Sequence, residues 1–256
     1  MELVHAVIFG FVEGASEFLP ISSTGHLILT AKLLGLPQTE FLKSFEISIQ
    51  LGAILAVVVL YWKSFLVDFE TLKRVIVAFI PTAVLGFLLY KIIKKVLLSN
   101  AGVVLWSLFI GGIFLIVFEL WFKEKEAAVN RISEMPFKTA AWIGVAQSFA
   151  MIPGVSRSAA TIVGGLFLGL ERRLIVEFSF LLAVPTMIAA TTLDLMKSAH
   201  HFSSDQFLFL GVGFIISFFV AIVCIKWLLE YVKNHTFILF GFYRIFIALF
   251  FWFVIK

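Results

Sequence analysis

The sequence predicts an all-α integral membrane protein with six transmembrane helices and two re-entrant helix pairs in an inverted-topology repeat. Three observations predict it. Apolar residues make up 61% of the 256, charged residues 14%, and the mean hydropathy is +1.08, far from the balance of a soluble domain. The apolar segments are continuous, without the alternation and the turn residues every ten or so positions that mark a membrane barrel. A helical bundle is then the remaining architecture that satisfies backbone polar groups in lipid. Finally, two otherwise apolar segments are interrupted by Pro, Gly and hydroxyl residues, at corresponding places in the two halves of the chain.

Taken in order, residues 2–35 form the first interrupted segment, read as a re-entrant pair that enters and leaves on one side. Spans near 45–62, 75–95 and 101–122 follow, each long enough for a hydrocarbon core about 30 Å thick. Residues 138–171 form the second interrupted segment, and spans near 174–195, 207–229 and 236–255 complete the chain. One kinked helix, or two separate spans, is the alternative for each interrupted segment. Trp62, Trp106, Trp121 and Trp252 fall near span ends, as an aromatic belt does. No basic stretch with a small-residue cleavage site precedes Glu13, so no removable signal peptide is expected. The single cysteine, Cys224, excludes an intramolecular disulfide.

The two halves repeat one order of residues. Pro20, Ser22 and Ser23 are followed by Leu34-Gly35-Leu36 and Glu46-Ile-Ser48. Pro153, Ser156, Arg157 and Ser158 are followed by Leu168-Gly169-Leu170 and Glu177-Phe-Ser179. A re-entrant pair plus three spans makes an odd number of crossings, so the second half enters from the opposite side. The chain is therefore read as one membrane domain of two inverted repeats, about 1–125 and 135–256, with the polar tips facing each other at the midplane.

Loop charges set the orientation. Seven Lys residues, including Lys94, Lys95 and Lys256, fall on the N-terminal side, against eleven Lys and Arg, including Lys125, on the other, which places the N-terminus outside. The net charge of +4 suits anionic headgroups. Nucleic acid is excluded as a partner, since no basic stripe with interleaved aromatics is present. Glu119 and Arg244 are expected to snorkel or pair, Glu46 and Glu177 to cap, hydrogen-bond or back the site, and His200-His201 to stand alone in a polar loop.

Ionisable residues are rare inside a membrane and mark function. Glu13 and Glu17, spaced i, i+4, lie on one helical face; two such carboxylates in a low dielectric share a proton or bind a cation. A hard divalent ion, Mg²⁺ or Ca²⁺, prefers oxygen ligands and bridges carboxylate to phosphate, which makes both residues candidate metal ligands. A carboxylate pair that locks the fold through neighbouring hydroxyls is the alternative.

Pro20 breaks the helix, and Ser22, Ser23 and Thr24 suit the N-cap of the next one. A helix N-terminus suits phosphate, and Gly25 permits close backbone approach. Ser23 is the candidate nucleophile, with His26 or Glu17 as its base; capping and a hydrogen-bonded core histidine are the plainer readings. In the second tip Arg157 is a phosphate clamp and charge stabiliser, or else an ion pair that holds the halves together. Ser156, Ser158 and Thr161 are candidate substrate contacts beside it.

The segments EGASEFLPISSTGHLIL and PGVSRSAAT, followed by FEISIQLGAILAVVV and EFSFLLAVP, resemble the bacterial undecaprenyl-diphosphate phosphatases linked to bacitracin resistance, over nearly the whole chain. The resemblance implies a divalent-cation-dependent enzyme of the cytoplasmic (inner) membrane that removes the terminal phosphate of undecaprenyl diphosphate. That reaction would recycle the lipid carrier for cell-wall synthesis. An active site on the outer face is also implied, with Glu13, Glu17, Ser23, His26 and Arg157 in its catalytic region. A homodimer stays open. The rival function is a secondary transporter or flippase for a lipid phosphate, since broken helices at the midplane also build carriers.

Overall fold

The protein, seen in a computed structural model, is described over residues 1–92, 101–123, 129–198 and 204–254. Lys94, Lys95, Lys125, Lys256 and the His200–His201 pair lie outside the described residues. The first interrupted segment forms α1 (Leu3–Ser16) and α2 (Ser23–Leu33). The chain continues through α3 (Glu40–Leu60), the short α4 (Trp62–Leu66), α5 (Phe69–Ile92) and α6 (Ala101–Trp121). The second interrupted segment forms α7 (Phe137–Ser148) and α8 (Arg157–Phe167), ahead of α9 (Arg172–Ser198), α10 (Ser204–Tyr231) and α11 (Ile238–Val254).

Helices α3, α5, α6, α9 and α10 are long and apolar enough to cross a membrane. The sixth expected span, α11, is a shorter apolar helix of 17 residues, about 25 Å long at 1.5 Å per residue. The expected spans match helices to within about six residues; the short α4 is added where Tyr61 leaves helical geometry at φ −117°, and single 3-10 turns stand at Ile132–Glu134 and Phe149–Met151.

The short helices α2 and α8 are built alike. Each has 11 residues. Ser22 accepts a hydrogen bond from the Gly25 N–H, and Ser156 accepts one from the Ala159 N–H, which satisfies a donor that has no partner within the helix. Each helix ends on a glycine with positive φ, Gly35 at +64° and Gly169 at +84°. The next N–H reaches back five residues, Leu36 to Ala31 and Leu170 to Gly165, at 2.9 and 3.1 Å. This is the Schellman closure, which favours glycine at the left-handed position.

Helix α1 packs against α10 as α7 packs against α5, and α3 meets α10 as α9 meets α5. Two pairs lie across the centre, α3 with α9 and α6 with α11. Exchanging α1, α2, α3, α5 and α6 for α7, α8, α9, α10 and α11 in that order maps each of these pairings onto another or onto itself. Backbones touch at matching points: a Cβ on Gly10 would stand 2.6 Å from the Gly213 carbonyl oxygen, and one on Gly144 2.0 Å from that of Ala78. Such close approach is how membrane helices gain contact without a hydrophobic driving force. Because α1 and α7 each pack against a helix of the opposite half, the halves interlock.

Glu119 and Arg172 are both buried and join α6 to α9 by two bonds of 2.5 and 3.0 Å, and the Phe237 N–H donates to Glu119 at 3.1 Å. Glu119 therefore pairs and does not snorkel. Trp62 and Trp121 are exposed, and Trp106 meets Trp252 edge-on.

Candidate active site

The two interrupted segments bring their tips together, and the tips touch directly. Ser158 donates to the Leu19 carbonyl at 2.8 Å, and Ser156 to the same oxygen at 3.4 Å. Glu17 stands at the last turn of α1, where its N–H still bonds the Glu13 carbonyl at 2.9 Å, so the i, i+4 geometry holds. Arg157 opens α8 and reaches Glu17 Oε1 at 3.2 Å across the repeats, while its other terminal nitrogen donates to the Ser179 carbonyl at 2.7 Å. Both side chains are buried, where an unpaired charge is most costly.

Ser23 Oγ donates to Glu17 Oε2 in a short hydrogen bond. Glu17 thus takes one hydrogen bond from the candidate nucleophile and one from the candidate clamp. The residue before Ser23 is held in an unusual backbone: Ser22 has φ +73°, the only positive φ outside glycine among the described residues. That conformation costs about 1–3 kcal/mol and persists where surroundings enforce it. Here the Ser22 carbonyl accepts both the His26 N–H at 3.2 Å and the His26 Nδ1 at 2.8 Å, and its hydroxyl caps Gly25.

The two candidate bases for Ser23 are separated by this geometry. A carbonyl only accepts, so Nδ1 of His26 carries the proton and the neutral ring has its lone pair on Nε2. That nitrogen lies 2.9 Å from the Tyr243 hydroxyl, with the ring planes nearly parallel. Glu17, and not His26, is in hydrogen-bond contact with Ser23.

Glu13 is fully buried on α1, and neither carboxyl oxygen has a hydrogen-bond donor among the described residues. Glu17, Glu46 and Arg157 all lie within electrostatic reach of it. Two orphaned oxygens beside a second carboxylate form an all-oxygen donor set, which fits a hard divalent cation. Among the described residues no group of three His, Cys, Asp or Glu is placed to hold a metal, so a cation there would take its further ligands from substrate and water.

The remaining candidates divide. Thr24 is half-buried in the first turn of α2, and Gly25 abuts Ser22 Oγ and Val104, each 3.3 Å from where a Cβ would be. Thr161 is fully buried, and its hydroxyl donates to the Arg157 carbonyl at 2.9 Å, so it shores up the first turn of α8. A groove of about 370 Å³ leads away from the site between α1 and α11, lined by Phe11, Val12, Leu19, Leu239, His26 and Tyr243.

Residues 6–250 match the family described as bacitracin resistance protein BacA. The chain belongs to that family. The undecaprenyl-diphosphatase of Aquifex aeolicus is 56% identical over 245 residues, 96% of this chain and 95% of the relative. Those of a Sulfurihydrogenibium species and of Persephonella marina are 55% and 51% identical, and each alignment covers at least 97% of both chains.

Three residues of this BacA-family site escaped the sequence reading. Tyr243 carries no motif and meets His26 only through the fold. Arg244, expected to snorkel or pair, is 2% exposed; it neither snorkels nor meets a carboxylate among the described residues. Gln147 did have a signal: it precedes Ser156 by nine residues, as Glu13 precedes Ser22. Gln147 is fully buried and donates to Thr82 and Thr186 at 2.9 and 3.2 Å. The acids come from the first interrupted segment and the arginine from the second, where Gln147 stands at the position that matches Glu13.

Proposed function

We propose that this protein is an undecaprenyl-diphosphate phosphatase that releases inorganic phosphate from the lipid diphosphate and returns undecaprenyl phosphate for cell-wall synthesis. The observation that carries it is the contact of Ser23, Glu17 and Arg157 across the two tips. A nucleophile on a carboxylate, beside a buried guanidinium, is an arrangement for phosphoryl transfer. Names of relatives at 51–56% identity along nearly the whole chain support the same substrate.

In this reading the diphosphate lies between the tips and the prenyl tail occupies the groove between α1 and α11. Ser23 Oγ attacks the terminal phosphorus as its proton passes to Glu17 Oε2. The P–O bond to the lipid phosphate breaks, and Arg157 balances the charge that develops on the phosphoryl oxygens. Glu17 passes that proton to the departing lipid phosphate; water then attacks the phosphoserine, giving a proton to Glu17, which returns it to Ser23 Oγ as the Oγ–P bond breaks and inorganic phosphate leaves. His26 and Tyr243 stand where the groove meets the polar tips. Glu13 and Glu17 would hold Mg²⁺ or Ca²⁺, which when bound would offset phosphate charge. Ser22, Thr24, Gly25, Ser156 and Ser158 frame the phosphate, and Thr161 supports Arg157.

We place the site on the outer face of the bacterial cytoplasmic membrane and the two repeats at about 1–125 and 135–256.

Purified protein in detergent, given a prenyl diphosphate with Mg²⁺ or Ca²⁺, is expected to release inorganic phosphate. Binding without release would refute the phosphatase and favour a lipid-phosphate carrier. Ser23→Ala is expected to lower kcat at least a hundredfold, on the order of the effect of losing a nucleophile. Near-normal turnover in that variant would replace the phosphoserine with direct attack by water.

A further inference from the structure

Arg244, in α11, is among the largest fully buried side chains of the protein. Its guanidinium is spent on backbone carbonyls. Nε faces Leu108 at 3.5 Å, Nη1 donates to Pro20 at 3.3 Å, and Nη2 donates to Ser107 at 3.1 Å and to Gly154 at 2.9 Å. No carboxylate pairs with it among the described residues. Burying a cation without an opposite charge is costly, which makes a role as mere filling a poor explanation.

The choice of carbonyls is informative. Pro20 lies two residues before the cap Ser22, and Gly154 lies two residues before the cap Ser156. They are the same position in the two copies of the repeat. One planar fork with fixed donor directions therefore grips the equivalent carbonyl of each tip and pins both to α6 through Ser107 and Leu108. Three residues after each gripped carbonyl stand Ser23 and Arg157.

The surroundings are shaped for this. A Cβ on Gly111 of α6 would stand 2.2 Å from Nη2 of Arg244, so only glycine leaves the slot open. Gly154 has φ +91°, and a Cβ there would come within 2.6 Å of the Val104 carbonyl oxygen. The second tip is thus pressed onto α6 where Arg244 holds it.

We propose that Arg244 is a positioning residue that sets the spacing of the two re-entrant tips, and so of Ser23 in one repeat against Arg157 in the other. Its effect on turnover rests on the phosphatase reading; its effect on the tips does not.

The test compares Arg244→Gln and Gly111→Ala with wild type. Gly111→Ala leaves the arginine in place but fills its slot. Two quantities are measured in detergent: hydrogen exchange of peptides covering 19–26 and 153–160, and kcat and KM for a prenyl diphosphate. Exchange is expected to rise at both tips in both variants, with the outer spans unchanged. Misplacement of this kind is expected to lower kcat by about tenfold to a hundredfold, with KM held within about threefold because the tail groove is intact. In the double variant the two losses should not add.

Exchange that rises at one tip only, kcat within twofold of wild type, or additive losses would overturn the proposal. If Arg244→Gln does not fold, Gly111→Ala decides by the same criteria. Wild-type protein that releases no phosphate would refute the phosphatase reading, while the exchange measurement would still report on the brace.

Discussion

Replacing Arg157 by Lys separates a catalytic clamp from a tie between repeats. Arg157 divides its donors between Glu17 Oε1 at 3.2 Å and the Ser179 carbonyl at 2.7 Å. A single ammonium on a flexible stem keeps the charge and can retain one of these partners, but it lacks the planar fork that spans both and grips a phosphate. One charge-assisted hydrogen bond is worth about 1.5–3 kcal/mol, so kcat should fall about 10- to 150-fold. The Glu17 charge stays compensated, so the melting temperature in detergent should change little. Arg157→Ala is different: it strands Glu17, whose side chain is 2% exposed, at about 3–5 kcal/mol of stability. The assay is phosphate release from a prenyl diphosphate, with kcat and KM resolved and folded protein counted by size-exclusion chromatography. A Lys variant with kcat within twofold of wild type would show that Arg157 only ties the halves together.

Other perturbations follow from the same geometry. Glu13→Gln replaces a buried carboxyl group that has no hydrogen-bond donor among the described residues, and the matching position of the second interrupted segment already holds Gln147. Its melting temperature should equal or exceed that of wild type, while stimulation by Mg²⁺ or Ca²⁺ disappears; retained stimulation would rule out Glu13 as a ligand. Tyr243→Phe deletes the hydroxyl 2.9 Å from His26 Nε2 and keeps the ring. The loss of about 0.5–1.5 kcal/mol should appear as a 2- to 12-fold lower kcat, and an unchanged kcat would place the pair outside the reaction. Glu119→Ala removes the buried carboxylate that takes two bonds from Arg172 and leaves the Phe237 N–H without that acceptor. Thermal unfolding should register a loss of about 3–5 kcal/mol, and a shift of less than a degree would show that the pair is dispensable.

Much of this site was legible because membranes make polar residues conspicuous. Glu13, Glu17, Ser23, His26 and Arg157 stood out against an apolar background, and the two broken helices implied that the tips meet. The i, i+4 spacing of the acids and the two serine caps are local geometry, which short-range sequence encodes. Other assignments depended on distance through space. Glu17 and His26 were equal candidates as the base for Ser23, and only the backbone turn at Ser22, which takes His26 Nδ1, separates them. Thr161 reads in the sequence as a candidate substrate contact beside Arg157, yet i, i+4 on a helix also lets a hydroxyl bond the carbonyl one turn back.

The sequence by itself determined that the chain lies in a membrane as helices, that two of its segments break midway, and that the acids and the arginine sit in different ones of those segments. Composition, periodicity and helix-breaking residues act locally or in sum, and they can be read along the chain. The tertiary structure alone decided which groups touch: Arg157 with Glu17, Tyr243 with His26, and Arg244 with the matching carbonyls of both tips. Those partners are separated by 90 to 224 positions, and they meet because α1 and α7 each cross into the opposite half. No local propensity carries that information.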